Sequence, residues 1–437
     1  MKLVRGFRGV RYNLKLIGNP DNVIVPPYDV ISSELRNYLA SLSRYNFVHI
    51  DLPEEKEGRN KYQLAGELYS LWKKEGILFK DTSPKAYWLI QQFKDSQGSV
   101  RERLALLALV KLPTNEYDKP LIFPHERTFE KPVEDRKLLF EATNSELSPI
   151  FFLYSDPGLH LREIFESKVK KSLDSWFSYE VRTVDGVVNT FIVTDWIENL
   201  DDLFRDKTFY IADGHHRFKM ASSKLREKLE FSHEINDSSL EPYLYVFSAI
   251  VAIEDSGLII YSPHRIVKKF PSGLSKADFM EFIRASFDII PFRGDSLEKL
   301  LEEVNSSIGA PTYGLITKDR ETYLIILKKD VFERMQLNEF TNKIHQVCVY
   351  PIHRFLFEIV EAKYGTSLDL AYEPNLGKCM EYLERNEAEM VFLLGQISPS
   401  IVRECAEAGE FMPQKSTYFF PKIPSGLVVY ELDKESL

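Results

Sequence analysis

Apolar and polar positions along the chain follow two different periods. Residues 86–93 and 104–112 are runs of apolar and aromatic side chains, separated by the polar stretch 94–99. This arrangement is typical of two paired strands. Residues 62–74 instead space Leu64, Leu68, Leu71 and Trp72 along one face of a helix. The pattern therefore predicts an α/β unit at the start of the chain.

The same alternation continues through the remaining sequence. Further strands are predicted at 23–25, 149–154, 208–212 and 243–253, and helices at 33–41, 133–142, 161–170, 196–204, 217–226, 276–286 and 352–364. Such alternation indicates an α/β or mixed α+β fold. Since 437 residues exceed what one core usually fills, we predict three domains: an N-terminal α/β unit at 1–118, a central core at 119–240, and a C-terminal α/β domain at 241–437.

Composition narrows the class of protein. The net charge of −9 opposes broad nucleic-acid binding, which needs a basic face. Three widely separated cysteines without a C-x-x-C pair indicate neither a disulfide framework nor a zinc ribbon. Because no apolar run reaches membrane-spanning length and the first residues lack a signal-peptide core, we expect a cytoplasmic protein without membrane or nucleic-acid partners.

The segment from Asp213 to Arg217 has the highest concentration of potentially reactive side chains in the sequence. It reads Asp-Gly-His-His-Arg and lies between a predicted strand and a predicted helix. The first amides of a helix have no intrahelical partner and the helix dipole is positive there, so this junction suits a phosphate. Gly214 allows close approach, Arg217 can bind phosphate, and His215 and His216 add donors. Asp213 could bind Mg²⁺. The alternative is a helix cap among ordinary polar residues.

A second candidate segment is Pro124-His125-Glu126. Glu126 is a candidate general base, because a carboxylate beside a phosphoryl donor can accept a hydroxyl proton. The alternatives are a loop with an exposed Glu and Arg pair, or a helix cap at Thr128.

A third candidate segment lies near the C-terminus, between two prolines. Lys415, Ser416, Thr417 and Lys422 form a run of basic and hydroxyl-bearing side chains, which could bind phosphate. It lacks the glycines of a P-loop, and a solvated loop remains the alternative. Asp29, after Pro26-Pro27-Tyr28, could also reach a substrate.

These three segments, in this order, resemble the pattern of free L-serine kinases of the ParB/sulfiredoxin-like fold. The chain also resembles, over nearly its whole length, a family formerly described as a domain of unknown function. Members of that family share the segments 26–30, 213–217 and 412–422, the last reading M-P-x-K-S-T-Y-F-x-P-K.

The resemblance implies a ParB/sulfiredoxin-like core and phosphoryl transfer from ATP or ADP, with Mg²⁺, to free L-serine. It implies that Glu126 is the general base, that the Asp213–Arg217 turn binds phosphates with His216 in a catalytic role, and that Lys415 contacts phosphate. Ser416, Thr417 and Asp29 would then contact the substrate. A departure is the N-terminal stretch of about 115 residues, which has no obvious counterpart in compact serine kinases.

Two other classes remain open. One is a nucleotide-dependent binding protein or switch of the same fold without kinase activity. The other is a sulfiredoxin-like reductase, which needs a cysteine where this chain has His215.

Overall fold

The computed structural model describes residues 2–95, 98–114, 121–231, 239–307, 309–337, 347–413 and 415–437. The strands are β1 Val4–Arg5, β2 Val10–Tyr12, β3 Leu78–Lys80, β4 Lys85–Lys94, β5 Val100–Lys111, β6 Ile122–Phe123, β7 Ser145–Glu146, β8 Ile150–Tyr154, β9 Phe177–Arg182, β10 Val188–Asp195, β11 Phe209–Asp213, β12 Tyr245–Ala252, β13 Ile259–Tyr261, β14 His264–Lys269, β15 Phe287–Pro291, β16 Thr312–Thr317, β17 Thr322–Leu327, β18 Asp369–Glu373, β19 Met390–Leu393, β20 Tyr418–Phe420 and β21 Tyr430–Glu431.

The helices are α1 Leu14–Ile17, α2 Ser33–Leu42, α3 Val48–Asp51, α4 Lys61–Lys74, α5 Glu130–Thr143, α6 His160–Ile164, α7 His215–Phe231, α8 Lys276–Ser286, α9 Leu297–Ser306, α10 Lys329–Leu337, α11 Val349–Ile352, α12 Glu358–Tyr364, α13 Leu376–Glu384 and α14 Pro399–Glu407. The π-helical turns Phe165–Val169 and His353–Phe357 continue α6 and α11. The mixed α/β class predicted from the sequence is confirmed.

The chain forms two compact units. The first comprises 1–258 together with 421–437, and the second comprises 259–420. The predicted boundaries at 118 and 240 do not coincide with these limits, and the first of them lies outside the described residues. Strands from both sides of residue 118 pair in one sheet, which joins the first two predicted domains in a single unit.

The first unit is built on a sheet with the strand order β6-β11-β8-β12-β5-β4-β10-β9, to which β1 adds by pairing with β5. The predicted pairing of β4 with β5 is confirmed as an antiparallel hairpin in which Tyr87 lies opposite Leu107. Every residue of β12 is buried, as expected for a central strand covered on both faces. At the edge, β6 and β11 are parallel, so both strands end on the same side of the sheet.

The C-terminal residues of the first unit return to its N-terminal part. Val429 bridges to Val10 and Ser425 bridges to Val25, while β21 pairs with β7. Val25 thus makes an isolated bridge where the apolar pattern predicts a short strand.

Most predicted helices of this unit are present. Side-chain caps explain where two of them begin. The Ser32 hydroxyl accepts the Leu35 amide at the start of α2, and Asn60 caps α4. The helix predicted at 196–204 is wrong, since only a 3₁₀ turn at Leu200–Phe204 forms. Asn199, with φ of 64°, takes the left-handed conformation that interrupts a regular helix.

The second unit contains a sheet with the strand order β15-β17-β16-β19-β14-β18 and a separate pair of β13 with β20. Its core includes Ile266, Leu300, Ile316 and Val391. No helix within the described ranges of either unit is long and apolar enough to cross a membrane.

Candidate functional site

The predicted strand-to-helix junction is present at Asp213. Strand β11 ends at Asp213 and the 17-residue helix α7 begins at His215. Gly214 between them has φ of 93°, and a Cβ at this position would lie 3.1 Å from the guanidinium of Arg217. The left-handed backbone and the close side chain both favour glycine here. The turn therefore presents the N-terminus of a long helix next to a carboxylate.

Parallel pairing brings the Pro124-His125-Glu126 segment to this turn. Phe209 and Tyr210 of β11 pair with Ile122 and Phe123 of β6, so the residues that follow each strand are neighbours. The His125 amide donates to Nε2 of His215 at 3.4 Å, and the two imidazole rings contact edge to face with centroids 4.7 Å apart. Two of the three sequence segments thus meet within the first unit.

His216 makes the next contact along the same edge. Its Nε2 accepts the amide of Phe129 at 3.2 Å, and its ring stacks on that of Phe129. This bond makes Nδ1 the protonated nitrogen of a neutral His216 ring. Glu126 is partly exposed, with 24% of its side chain accessible, and its Oε1 lies 4.0 Å from Nε2 of His125.

Two cations flank the carboxylate of Asp213. Lys422 Nζ lies 3.2 Å from Oδ1, and the Arg217 guanidinium lies 3.3 Å from Oδ2. Burial opposes ionisation, but Lys422 and Arg217 outweigh it and hold the pKa of Asp213 at about 2. Asp213 is therefore a carboxylate at neutral pH.

The two contacting histidines are neutral. Burial lowers the pKa of His125 to about 4, against the opposing effects of the Ile211 backbone and Asp213. The pKa of His215 is also lowered well below its ordinary value, first by burial and next by the neighbouring His125. A pair of neutral rings can share hydrogen bonds without charge repulsion and can position the turn.

Arg217 is more deeply embedded than the sequence pattern indicates. It is 7% exposed, and it donates to the hydroxyl of Ser148 and the carbonyl of Pro149 as well as pairing with Asp213. Its Nε has no hydrogen-bond partner among the described residues. Arg217 thus links the Asp213 turn to the residues just before β8. It has this structural role in addition to the phosphate contact predicted from the sequence.

Asp29 and Arg217 both act electrostatically on the phenol of Tyr28. Asp29 is an exposed residue in the 3₁₀ turn Tyr28–Val30. The pKa of Tyr28 is raised to about 12, chiefly by burial and next by Asp29. Arg217 and Arg136 act in the opposite direction and lower this pKa. The guanidinium of Arg136 lies 3.9 Å from the centre of the Tyr28 ring.

The third segment is divided between the two units. Lys415, Ser416 and Thr417 lie in the second unit, where Lys415 is exposed and the buried Ser416 hydroxyl donates to the Pro413 carbonyl. Their placement beside Asp213 stays a prediction. Lys422 lies in the first unit and is the member of the segment that reaches Asp213.

Lys422 belongs to the third candidate segment, but it is not among the residues to which the resemblance assigns a role. Its signal was present in the last Pro-Lys pair of the 412–422 motif, which follows the residues chosen as phosphate and substrate ligands. Within the described residues, no group of three or more His, Cys, Asp or Glu side chains could hold a metal ion. Mg²⁺ takes oxygen ligands and is commonly held by one or two carboxylates together with phosphate oxygens, and the carboxylate of Asp213 is a ligand of that kind.

A family model described as "Protein of unknown function (DUF1015)" matches residues 4–356, and the chain belongs to this family. None of the curated proteins compared with the chain matches it.

The solved structures that are similar to the chain include the following three. A conserved hypothetical protein from Pyrococcus furiosus is 16% identical with a TM-score of 0.36, over 73% of this chain and 93% of its own. A free serine kinase in complex with AMP is 13% identical with a TM-score of 0.37, over 74% of this chain and 97% of its own. A variant of a free serine kinase in complex with ADP gives the same values of 13%, 0.37, 74% and 97%.

Proposed function

We propose that this protein is a small-molecule kinase that transfers a phosphoryl group from ATP or ADP to the hydroxyl of free L-serine, giving O-phospho-L-serine. The observation that carries the proposal is the contact between His125 and His215, whose rings lie 4.7 Å apart. This contact supports the proposal because the candidate base, Glu126, follows His125 directly, and His215 belongs to the candidate phosphate-binding turn. Their pairing is what the resemblance to serine kinases requires.

The phosphate site would consist of the α7 N-terminus with Gly214, His215 and Arg217, together with Lys422. The amides at the start of α7 supply donors, and the glycine backbone permits close approach. Lys422 supplies a point charge that can bridge Asp213 and a phosphate oxygen. Positioning and charge neutralisation are the main demands of phosphoryl transfer, and this group meets both.

Glu126 would act as the base in the transfer step. Its partly exposed carboxylate takes the proton of the serine hydroxyl as the serine oxygen bonds to the terminal phosphorus of the nucleotide. The bond from that phosphorus to the bridging oxygen breaks, and ADP leaves when ATP is the donor, or AMP when ADP is the donor. His216, whose Nε2 accepts the Phe129 amide, would position the loop that carries Glu126.

Asp213 would hold Mg²⁺, which neutralises charge on the phosphates when bound. Its carboxylate is ionised by the flanking Lys422 and Arg217, which provides the required ligand chemistry. Lys415, with Ser416 and Thr417, would complete the substrate contacts, and Asp29 would do so from the N-terminal part.

The test is to incubate the purified full chain with Mg²⁺, either ATP or ADP, and each of the twenty amino acids in turn, and to detect phosphorylated products by mass spectrometry. We expect phosphoserine with serine and no such product from Glu126→Gln. Nucleotide binding without transfer to any amino acid would overturn the proposal in favour of a nucleotide-dependent switch.

A further inference from the structure

A row of three buried polar side chains crosses the sheet of the first unit. Gln91 of β4 lies opposite Arg103 of β5 on one side and opposite Asn189 of β10 on the other. Residues directly opposite each other in antiparallel strands share a face of the sheet, so the three side chains form one line. Each is at most 1% exposed. Side chains of these types are rarely buried so completely, and they are buried where their hydrogen bonds are satisfied.

Hydrogen bonds join the members of this row. Arg103 donates to Oε1 of Gln91 from Nε, at 3.2 Å, and from Nη2. Gln91 Nε2 in turn donates to Oδ1 of Asn189 at 2.9 Å. Because a guanidinium can only donate, Arg103 fixes the orientation of the Gln91 amide, with its oxygen toward Arg103 and its nitrogen toward Asn189.

The same side chains bind the segment that carries Lys422. Gln91 Nε2 donates to the Lys422 carbonyl at 3.0 Å, and Arg103 Nη2 donates to the Pro421 carbonyl. Pro421 is the residue at which the chain returns to the first unit. Two successive carbonyls are therefore held by two buried side chains of the central strands.

Arg103 also contacts the strand next to Asp213. Its guanidinium lies over the ring of Phe151, 4.8 Å from the ring centre, a cation–π contact. Phe151 of β8 is the residue opposite Asp213 in the pairing with β11. Arg103 thus touches both sides of the Lys422–Asp213 ion pair: the segment that carries Lys422, and the residue opposite Asp213.

Stability of the sheet alone does not account for this row. Burial of a charged guanidinium has a free-energy cost that an apolar side chain does not have. What Gln91 and Arg103 add is a fixed position for two backbone carbonyls, which apolar side chains cannot bind. The side chain that this backbone carries reaches Asp213.

We propose that Gln91 and Arg103 are positioning residues: they fix the backbone of Pro421 and Lys422 and so place the Lys422 ammonium beside Asp213, where it can contact a phosphate. Asn189 orients the Gln91 amide. The inference rests on the proposed function only in taking a phosphate as the ligand of Lys422. It assigns a role to residues outside all three sequence motifs.

The first test needs no nucleotide. A short pulse of acetic anhydride acetylates accessible, unprotonated lysine amines, and mass spectrometry of the resulting peptides gives the rate at each lysine. The side chain of Lys422 is 10% exposed and paired with Asp213, so it should react slowly in the wild-type full chain.

Two variants should release Lys422. Gln91→Met has a similar size but no amide, and Arg103→Lys keeps the charge but loses the planar fork of donors. Each should raise the acetylation rate of Lys422 at least about threefold, the effect of losing about one net hydrogen bond.

Lys224 is the internal reference in every sample. It lies in the same unit, its side chain is 13% exposed, and it pairs with Glu141 and Glu227. Its rate should stay at the wild-type value, whereas general loosening of the fold would raise both rates.

Thr194→Val is the matched control variant. Thr194 is buried in β10 of the same sheet, and its hydroxyl bonds to Trp88 and to the Asp195 carbonyl instead. The variant loses buried hydrogen bonds but should leave the rate at Lys422 unchanged.

Thermal melting of each variant checks that it folds. Should Gln91→Met and Arg103→Lys both fail to fold, Asn189→Ala replaces them, since it removes the acceptor that orients the Gln91 amide and leaves Gln91 and Arg103 in place. It should raise the rate at Lys422 by a smaller factor.

The second test is a double-mutant cycle on ATP affinity, measured by calorimetry for Gln91→Met, Lys422→Met and the double variant. If Gln91 acts through Lys422, Gln91→Met should weaken ATP binding several-fold in the wild-type chain and have no further effect in the Lys422→Met chain. Losses that simply add would overturn the inference.

The outcomes separate this inference from the proposed function. An unchanged rate at Lys422 in the folded variants, or an equal rise at Lys224, would overturn the positioning role even if the wild type binds ATP and forms phosphoserine. A rise confined to Lys422 would support that role even if the wild type binds no nucleotide, in which case only the kinase proposal fails.

Discussion

Lys422 Nζ lies 3.2 Å from Asp213 Oδ1, although the two residues are 209 positions apart in the chain. Both side chains are largely buried, and Arg217 lies on the other oxygen of the same carboxylate. A cation therefore lies beside each oxygen of the Asp213 carboxylate. The N-terminus of α7, which follows directly, favours an anionic ligand through the helix dipole.

Lys422→Met should weaken ATP and ADP binding by about tenfold, because a charge-assisted phosphate contact is lost. It should also destabilise the fold, but by less than the roughly 3–5 kcal/mol that an uncompensated buried charge costs, because Arg217 still pairs with Asp213. Calorimetry and chemical denaturation measure the two effects. Lys85→Met removes the partly exposed partner of Asp195 and should change neither by much. Unchanged nucleotide affinity in Lys422→Met would contradict the phosphate role.

Arg217→Ala should weaken nucleotide binding several-fold or more and also lower the melting temperature. The second effect follows because Ser148 and the Pro149 carbonyl lose their donor. Arg205→Ala is the control, since Arg205 forms an exposed ion pair with Asp202, and such pairs contribute little. A variant that melts early but binds ATP and ADP as the wild type does would make Arg217 a scaffold residue alone.

Lys415→Met tests whether the second unit contributes to the same site. If Lys415 contacts phosphate, as the motif resemblance implies, nucleotide affinity should fall several-fold without loss of stability, because Lys415 is exposed. The control is Lys329→Met, which changes another exposed lysine of that unit. Equal nucleotide affinity in both variants and the wild type would remove Lys415 from the site.

Sequence patterns correctly predicted those parts of the fold that depend on interactions between residues close together in the chain. The β4–β5 hairpin and helix α4 follow from apolar spacing and caps, and the Asp213 turn follows from a glycine between an apolar run and a helical one. The 196–204 stretch failed because Asn199 adopts a left-handed backbone, which apolar spacing does not reveal.

The rest of the site depends on pairing between distant segments. Lys422 reaches Asp213 in a first unit whose C-terminal residues pair back with Val10, Val25 and β7, and no local signal encodes those pairings.

His125→Asn should reduce the acid sensitivity of the fold. The unfolded chain protonates His125 near its ordinary pKa of 6.5, whereas burial keeps the folded pKa at about 4. The unfolded state therefore binds more protons as pH falls from 6.5 to 4, and the wild type loses up to about 3 kcal/mol of stability across that window. Denaturation between pH 4 and 8 should show a shallower slope for the variant below pH 6.5 and parallel curves above pH 7. An unchanged slope would contradict the buried neutral assignment.

Glu126→Gln is the sharpest test of the chemistry. The substitution keeps size and hydrogen-bonding shape but removes basicity, and loss of a general base typically costs about 10²–10⁴ in rate. Glu126 is assigned to the acceptor hydroxyl and not to the phosphates, so nucleotide affinity should stay close to that of the wild type while turnover of serine collapses. Steady-state kinetics and calorimetry measure these two quantities. Glu130→Gln, at the start of α5, is the matched control and should turn over serine normally. If Glu126→Gln were as active as the wild type, Glu126 would be a loop residue, and Asp29 or Asp213 would become the next candidate for the base.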